Sequence, residues 1–242
     1  MHDFIKGFKY LFSGFYLITK PGIRLYVAVP LFINILLFAG GITYGAHLLV
    51  GFIDWLVAQW SWIEWLEWLV WPLFLILSLT IVFFCFSIIA NLIAAPFNGF
   101  LSQAVESSIT NITSQDSDTN LAALPGIIFT ATKSEARKFL YFVVRAIPLL
   151  LLFLIPFVNL AAQALWILFG AWMLALEYID YPLGNHGIDF PDQRKTLSNK
   201  RKLAFGFGFG ALMITLLPVV NFVAMPVAVA GATRMVTENF NN

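Results

Sequence analysis

The sequence predicts an all-α integral membrane protein, and this prediction depends on its composition and on two long uncharged stretches. Hydrophobic residues make up 60% of the 242-residue chain, charged residues only 11%, and the mean hydropathy is +0.84. A soluble domain needs a more polar surface than this composition provides. Residues 25–53 and 68–105 carry no formal charge, and each stretch exceeds the roughly 20 residues that a spanning helix requires. We predict a single membrane domain over residues 1–242.

The first predicted element is an amphipathic helix at residues 4–19. Its apolar residues recur at the i, i+3 and i+4 spacing of one helix face, and they are Phe4, Ile5, Phe8, Leu11, Phe12, Phe15 and Ile18. Lys6 and Lys9 fall outside this set. A helix with this pattern is typical of one that lies in the plane of the membrane.

Two long spanning helices are predicted next, at residues 22–57 and 66–106. The 29 uncharged residues at 25–53 would extend about 43 Å as a helix, beyond the roughly 30 Å apolar core of a bilayer. We therefore expect a tilted helix. Six of the eight tryptophans lie in or beside the intervening loop, which indicates a membrane–water interface; they are Trp55, Trp60, Trp62, Trp65, Trp68 and Trp71.

The distribution of basic residues predicts the orientation. All 14 Lys and Arg residues fall in the N-terminal segment, at 133–145, at 194–202 or at Arg234, and none lies in the tryptophan-rich loop. Two crossings put these segments on one side, which the positive-inside rule assigns to the cytoplasm. We therefore expect a multi-pass protein with both termini in the cytoplasm, and a polar cytoplasmic linker at residues 107–132.

The C-terminal half predicts two helical hairpins, at residues 139–179 and 203–235. Each contains a proline followed three residues later by an asparagine, at Pro156 and Asn159 in the first and at Pro218 and Asn221 in the second. This weak internal repeat suggests that the two tips are alike.

Arm length predicts how deep the hairpins reach. The arms at 203–217 and 219–233 have 15 residues each, about 22 Å as helix, which is short of a roughly 30 Å apolar core. We predict half-membrane, re-entrant hairpins, although the arm at 157–176 could span alone. Irregular backbone at membrane depth needs protein or water around it, so an aqueous path or an oligomer interface is expected at the tips.

The segment at residues 20–24 is the first candidate site. Pro21 suits the first position of a helix, and Gly22 lets the backbone approach a ligand closely. We expect the amides that follow to be unpaired, and free amides beside Arg24 and Lys20 can bind sulfate or phosphate. The same pattern also fits an ordinary helix start with a basic residue at the lipid interface, so the residues alone leave both interpretations open.

Polar residues in the second long helix are the second candidate. Roughly one face carries four of them, which are Asn91, Asn98, Gln103 and Glu106. Burying a polar group in lipid without a partner costs several kcal/mol, so such side chains turn inward. They either line a polar path or bond to neighbouring helices. Glu177 and Asp180, near the basic segment at 194–202, fit a solvated rim better than a proton relay.

The motifs exclude several classes of function. The chain has no phosphate-binding G-x-x-x-x-G-K-[ST] loop, and His2, His47 and His186 lack metal-ligand spacing. The single Cys85 excludes an intrachain disulfide. We therefore predict no enzyme activity, no cofactor, no metal and no nucleic-acid partner. The glycine-rich run at 206–210 is predicted to be a close helix-packing face.

Five stretches of this sequence resemble the CysZ family of bacterial sulfate permeases. They are PGIR at 21–24, NLIAAPFNG at 91–99, AWMLA at 171–175, DYP at 180–182 and MPVAVAGAT at 225–233. The resemblance implies sulfate uptake across the bacterial inner membrane for cysteine synthesis. It also implies two long helices, two half-membrane hairpins and a homo-oligomer in the lipid bilayer.

The resemblance further implies that sulfate binds at Gly22, Ile23 and Arg24. The sequence departs from the family pattern at Leu25, where family members often carry a second basic residue. The site then binds sulfate more weakly or borrows charge from Lys20 or Arg137.

The interpretation favoured by these observations is a channel-like sulfate permease. One alternative is a proton-coupled symporter with Glu106 or Glu177 as the proton carrier. The other is a membrane scaffold that transports nothing, in which the hairpins and the amphipathic helix shape lipid or hold a partner.

Overall fold

The computed structural model describes residues 1–59, 67–111 and 124–240, and the chain is helical through nearly all of these ranges. No strand occurs in the described part, which confirms the all-α prediction. Its eight helices are α1 (His2–Leu17), α2 (Arg24–Gln59), α3 (Glu67–Thr110), α4 (Leu124–Leu152), α5 (Asn159–Asn185), α6 (Phe190–Asn199), α7 (Arg201–Thr215) and α8 (Pro218–Asn239). The tip of the tryptophan-rich loop, at residues 60–66, and residues 112–123 of the predicted linker lie outside the described residues.

The chain forms two compact units. One consists of Met1–Arg24 with Asn98–Asn242, and it contains α1, the last part of α3 and all of α4 to α8. The other is Leu25–Phe97, which contains α2 beyond its first residue and most of α3. The first boundary between the two units follows Arg24, which is both a residue of the candidate site and the first residue of α2.

Within the described part of the chain, three helices are long and apolar enough to cross a membrane: Arg24–Leu56, Asn159–Asn185 and Val220–Asn239. The last of these helices is longer than the 15-residue arm that the sequence predicted for the second hairpin. The sequence suggested an arm ending near residue 233, but α8 has 22 residues, about 33 Å, and runs on to Asn239. The opposite arm, α7, has the expected length of 15 residues, although it begins and ends two residues earlier than the predicted arm.

Side chains of α1 hold the polar last turn of α8 in place. The Tyr10 hydroxyl donates to Glu238 Oε2 at 2.7 Å, and Lys6 Nζ donates to Asn239 Oδ1 at 2.8 Å. These bonds give charged and amide groups partners at the helix end, so the helix continues past its apolar stretch.

The amphipathic helix α1 packs tightly on α7 and α8. A Cβ added to Gly7 would collide with the Leu203 carbonyl, and one added to Gly206 would collide with the Phe4 carbonyl. Because neither helix has a side chain at these points, the two backbones lie in contact. On the other side of α1, Phe12 and Tyr16 remain exposed.

The glycine-rich run at 206–210, in the middle of α7, is a packing face, as predicted. In addition to the contact of Gly206 with α1, a Cβ at Gly208 would collide with the Ala171 carbonyl of α5. Phe207 between them is fully buried. Helices α1, α5, α7 and α8 thus share one core, which includes Leu11, Leu176, Ile179, Val227 and Met235.

Two elements differ from the sequence prediction. Helix α4 begins at Leu124, so residues 124–132 of the predicted linker are helical, ahead of the basic helix expected from Lys133. Helix α6, with ten residues, was not predicted because its sequence is mostly polar, with Phe190 and Leu197 as its buried apolar residues. Pro191 near its N-terminus is well suited to that position, since a proline needs no amide partner there.

Candidate functional site

The turn that joins α1 to α2 is built by short-range hydrogen bonds. The amide of Ile18 donates to the Gly14 carbonyl at 3.0 Å, and that of Lys20 donates to the Leu17 carbonyl at 3.2 Å. Ile23, just before α2, has a side chain only 3% exposed. This buried side chain anchors the turn to the core of its unit, so the neighbouring Gly22 and Arg24 are held in a defined place.

Gly22 has the backbone conformation that the site requires. Its φ angle is +88°, in the left-handed region that glycine adopts without strain. No atom lies within 4 Å of the place where a Cβ would stand, and the Gly22 amide has no hydrogen-bond partner among the described residues. A ligand can therefore reach this amide directly.

The structure corrects the expectation of a series of free amides. Helix α2 begins at Arg24 and not at Pro21, and the amides of Ile23 and Arg24 both donate to the Lys20 carbonyl at 3.1 Å. The chain turns back at Gly22, which brings these two amides under that carbonyl. Of residues 22–24, Gly22 therefore offers the free amide, and Ile23 contributes its buried side chain.

Arg24 supplies the charge of the site. Its side chain is exposed and forms no ion pair with any described residue. Lys20 is partly exposed, with Nζ 5.6 Å from the centre of the Tyr16 ring. Arg137, which was considered as a source of extra charge, lies instead beside Asp189, with Nη1 3.5 Å from Oδ2. Arg24 and Lys20 are thus the cations of this turn.

The polar face of α3 makes contacts with neighbouring elements. Asn98 is buried and its amide nitrogen lies 3.4 Å from Met225 Sδ, while Glu106 Oε1 lies 2.9 Å from His186 Nε2. Between them in sequence, Ser102, which the sequence did not single out, shares a 2.9 Å hydrogen bond with Thr233. Gln103 is partly exposed. The side chain of Asn91 lies outside the described residues, so the polar path stays a prediction.

Comparison with known proteins identifies the family. The model of the family described as "Sulfate transporter CysZ/Etoposide-induced protein 2.4" matches residues 10–226, most of the chain. The chain belongs to this family. The match confirms the resemblance found in the sequence, and it agrees with the prediction that the chain is not an enzyme, because the CysZ family is one of transporters.

Individual relatives match over nearly the full length. A protein of Pseudomonas paraeruginosa is 44% identical over 230 residues, which cover 95% of this chain and 93% of the relative. One of Pectobacterium atrosepticum is 39% identical, with 98% of this chain and 86% of the relative covered. Both relatives are named sulfate transporter CysZ.

This CysZ family member also contains a charge cluster around a buried lysine, which the sequence did not predict. Lys138 is 5% exposed, and its Nζ lies 2.6 Å from Glu135 Oε1, 2.7 Å from Asp180 Oδ2 and 3.6 Å from Glu177 Oε2. Gln193 of α6 donates to the other Asp180 oxygen at 2.6 Å. The cluster therefore joins α4, α5 and α6.

The cluster gives Glu177 and Asp180, which the sequence analysis interpreted as a solvated rim near the basic segment at 194–202, a different neighbour. Their cation is Lys138. Burial alone would lower the pKa of Lys138, but the negative charges of Glu177 and Asp180 outweigh burial and raise it. Lys138 therefore stays cationic throughout the physiological pH range. The i, i+3 spacing of Glu135 with Lys138 was visible in the sequence, whereas their meeting with α5 depends on the fold.

Proposed function

We propose that this protein is a sulfate permease of the bacterial inner membrane, which supplies sulfate for cysteine synthesis. Membership in the CysZ family supports sulfate as the substrate, since relatives at 39–44% identity carry that name. The observation that carries the proposal is the open turn at Gly22, with a free amide, followed two residues later by the unpaired, exposed guanidinium of Arg24.

The chemistry of this turn suits sulfate. A tetrahedral dianion presents several oxygen acceptors, and the guanidinium of Arg24 offers two or more N–H groups in a planar fork. The Gly22 amide adds a donor from the backbone, where the lack of a Cβ leaves room for a ligand oxygen. Lys20 adds positive charge within the same turn. We propose that Gly22, Ile23 and Arg24 form the anion site, with Ile23 as its anchor.

The predicted arrangement in the membrane forms part of this proposal, namely α1 in the plane of the cytoplasmic surface and two half-membrane hairpins. Exposed apolar side chains stand at the two tips, with Phe157 99% and Phe222 76% exposed, beside the exposed Asn159 and Asn221. Helix α7, at 15 residues, extends only about 22 Å. Exposed apolar tips are stable in hydrocarbon or against another subunit, and this supports membrane insertion and a homo-oligomer.

A channel-like mechanism is the simplest one for such a site. Moving a dianion inward against roughly 100 mV costs about 4.6 kcal/mol, a disadvantage of order 10³ in equilibrium concentration. Uptake through a passive pore then depends on plentiful external sulfate or on rapid consumption of sulfate inside the cell. We propose that the path passes the polar face of α3, where Gln103 is partly exposed and the pair of Glu106 and His186 is open to a polar solute.

The test is entry of radiolabelled sulfate into proteoliposomes that contain only this protein, at clamped voltage. We expect flux that falls at least about tenfold in Arg24→Ala, because the loss of one charge-assisted contact removes roughly 1.5–3 kcal/mol. An imposed pH gradient at fixed voltage should leave the flux unchanged, whereas a symporter would respond to it.

The matched control is Lys9→Ala, which removes another exposed cation that forms no ion pair with a described residue. Its flux should equal that of the wild type. Flux equal to that of empty liposomes, from folded and inserted wild-type protein, would reject the permease and favour a scaffold. Equal flux in Arg24→Ala and wild type would reject the site and leave the transport function in place.

A further inference from the structure

A second basic site lies away from the Gly22–Arg24 turn. A cavity of about 590 Å³ opens between α4, α5, α6 and α7, and none of residues 22–24 lines it. We call it the basic pocket and define it by six of its lining residues, which are Tyr141, Arg145, Trp172, Arg194, Lys195 and Arg201. A volume of this size is typical of a cleft that binds a small molecule or a headgroup.

The charges that line the basic pocket are unbalanced. Its four cations, Arg145, Arg194, Lys195 and Arg201, face a single carboxylate, that of Asp192. None of the four forms an ion pair with any described residue. Four unpaired cations around one cavity repel one another, and an anion in the cavity would relieve that repulsion.

Tyr141 organises two of these cations. The guanidinium carbon of Arg145 lies 3.7 Å from the centre of the Tyr141 ring, and that of Arg194 lies 5.2 Å from it. The ring itself is fixed, because its hydroxyl accepts a 2.9 Å hydrogen bond from Trp172 Nε1. A guanidinium against a ring face keeps N–H groups free, so Arg145, at 3.7 Å, has donors available for phosphate oxygens, and Arg194 lies close to the same ring.

The basic pocket lies where the helices change from charged to apolar. Arg145 is the last charged residue of α4, and the next turns of that helix expose Ile147, Leu150 and Leu151. Arg201 likewise begins α7, whose remaining residues beyond Lys202 are uncharged. Trp and Tyr side chains are enriched at this depth, at the level of lipid headgroups. A ligand with a charged head and apolar chains matches both surfaces at once.

We propose that the basic pocket binds the headgroup phosphate of an anionic phospholipid, with the acyl chains along the exposed apolar residues of α4. Arg145, Arg194 and Arg201 bind the phosphate oxygens, Tyr141 and Trp172 orient the arginines, and Lys195 adds charge. Basic pockets between membrane helices on the cytoplasmic side have the charge that such headgroups require. This inference does not depend on the identity of the transported solute.

The test measures lipid retained by the full-length protein, by native mass spectrometry after exchange into vesicles of phosphatidylglycerol or of phosphatidylcholine. We expect the wild type to retain phosphatidylglycerol and not phosphatidylcholine. In Arg145→Gln/Arg201→Gln the affinity for phosphatidylglycerol should fall about 30-fold, since each basic group near a lipid surface contributes about 1 kcal/mol.

The matched control is Lys202→Gln, which removes the cation next to Arg201 but outside the basic pocket. It should retain phosphatidylglycerol like the wild type. A third variant, Arg145→Lys/Arg201→Lys, keeps the charge and loses the planar donors, so intermediate retention is expected even if the glutamine variant folds poorly.

Three outcomes would overturn the proposal. Equal retention of both lipids by the wild type would remove the preference for an anionic headgroup. Equal retention of phosphatidylglycerol by the wild type and the folded glutamine variant would show that the basic pocket does not bind the lipid. Displacement of the lipid by millimolar inorganic phosphate would identify a free anion as the ligand.

Discussion

At the scale of single residues, the candidate site depends on the backbone conformation of Gly22. In Gly22→Ala the added methyl meets no neighbour, but a left-handed φ of +88° costs an L-residue about 1 kcal/mol. We expect the turn to relax and the free amide to move, which should raise the Kd for sulfate roughly fivefold. Binding of radiolabelled sulfate to purified protein measures this change.

A helical glycine in an equally open place serves as the control for Gly22→Ala. Gly40 in α2 also has no atom within 4 Å of its Cβ position, and its φ is not positive. Gly40→Ala should leave sulfate binding unchanged. If both variants bind like the wild type, the backbone of Gly22 has no part in holding the anion.

The sequence could predict the residues of this turn but not their hydrogen bonds. The Pro-Gly pair was interpreted as the start of a helix, which begins instead at Arg24, whereas Gly22 and Arg24 are accessible. The amides of Ile23 and Arg24 donate to the Lys20 carbonyl because the backbone at Gly22 is left-handed. A glycine can adopt this conformation but need not, so the sequence alone does not predict these hydrogen bonds. The same limit applies to Lys138, whose partners on α5 are about 40 residues away in sequence.

At the scale of elements, the contact of α1 with α7 depends on glycines. Gly206→Val would place a side chain against the Phe4 carbonyl, and backbone cannot retreat without separating the two helices. We expect a loss of about 3 kcal/mol in the free energy of unfolding, at the upper end of what overpacking costs. Denaturant titration of the protein in detergent, followed by circular dichroism, measures it.

Gly170→Val is the matched control for this contact. Gly170 is also helical, in α5, but no atom lies within 4 Å of its Cβ position. Both variants introduce valine into a helix at the same intrinsic cost. The difference between their free energies of unfolding therefore measures the effect of the contact between α1 and α7. Equal stability of the two variants would show that α1 is not held by this contact.

An element could be predicted where its own sequence carries a clear pattern, such as an uncharged run or a run of glycines. The long uncharged runs of α2 and α3 define those helices, and the glycine run of α7 indicates its packing face. The end of α8 could not be predicted from hydropathy, because its last turn is polar and depends on Tyr10 and Lys6 of a helix over 200 residues away. Helix α6 is mostly polar, and its two buried apolar residues, Phe190 and Leu197, are too few to form a periodic signal in the sequence.

At the scale of the whole molecule, the predicted depth of the hairpins can be tested by cysteine accessibility. Single cysteines are introduced in a Cys85→Ala background at Phe157 and at Leu216, which stand at the two tips and are 99% and 73% exposed. Half-membrane hairpins end inside the hydrocarbon or against another subunit. We therefore expect both tip cysteines to resist a charged, membrane-impermeant maleimide added from either side of the membrane.

The control for this experiment is Asn199→Cys, at the exposed last residue of α6, close to the basic residues expected on the cytoplasmic side. It should react in inverted vesicles and remain unmodified in intact spheroplasts. Reaction of the tip cysteines from the periplasmic side would show that the hairpins cross the membrane completely. The 22 residues of α8 and the 27 residues of α5 provide enough length for that outcome, so accessibility of the tips, and not helix length, decides between the two topologies.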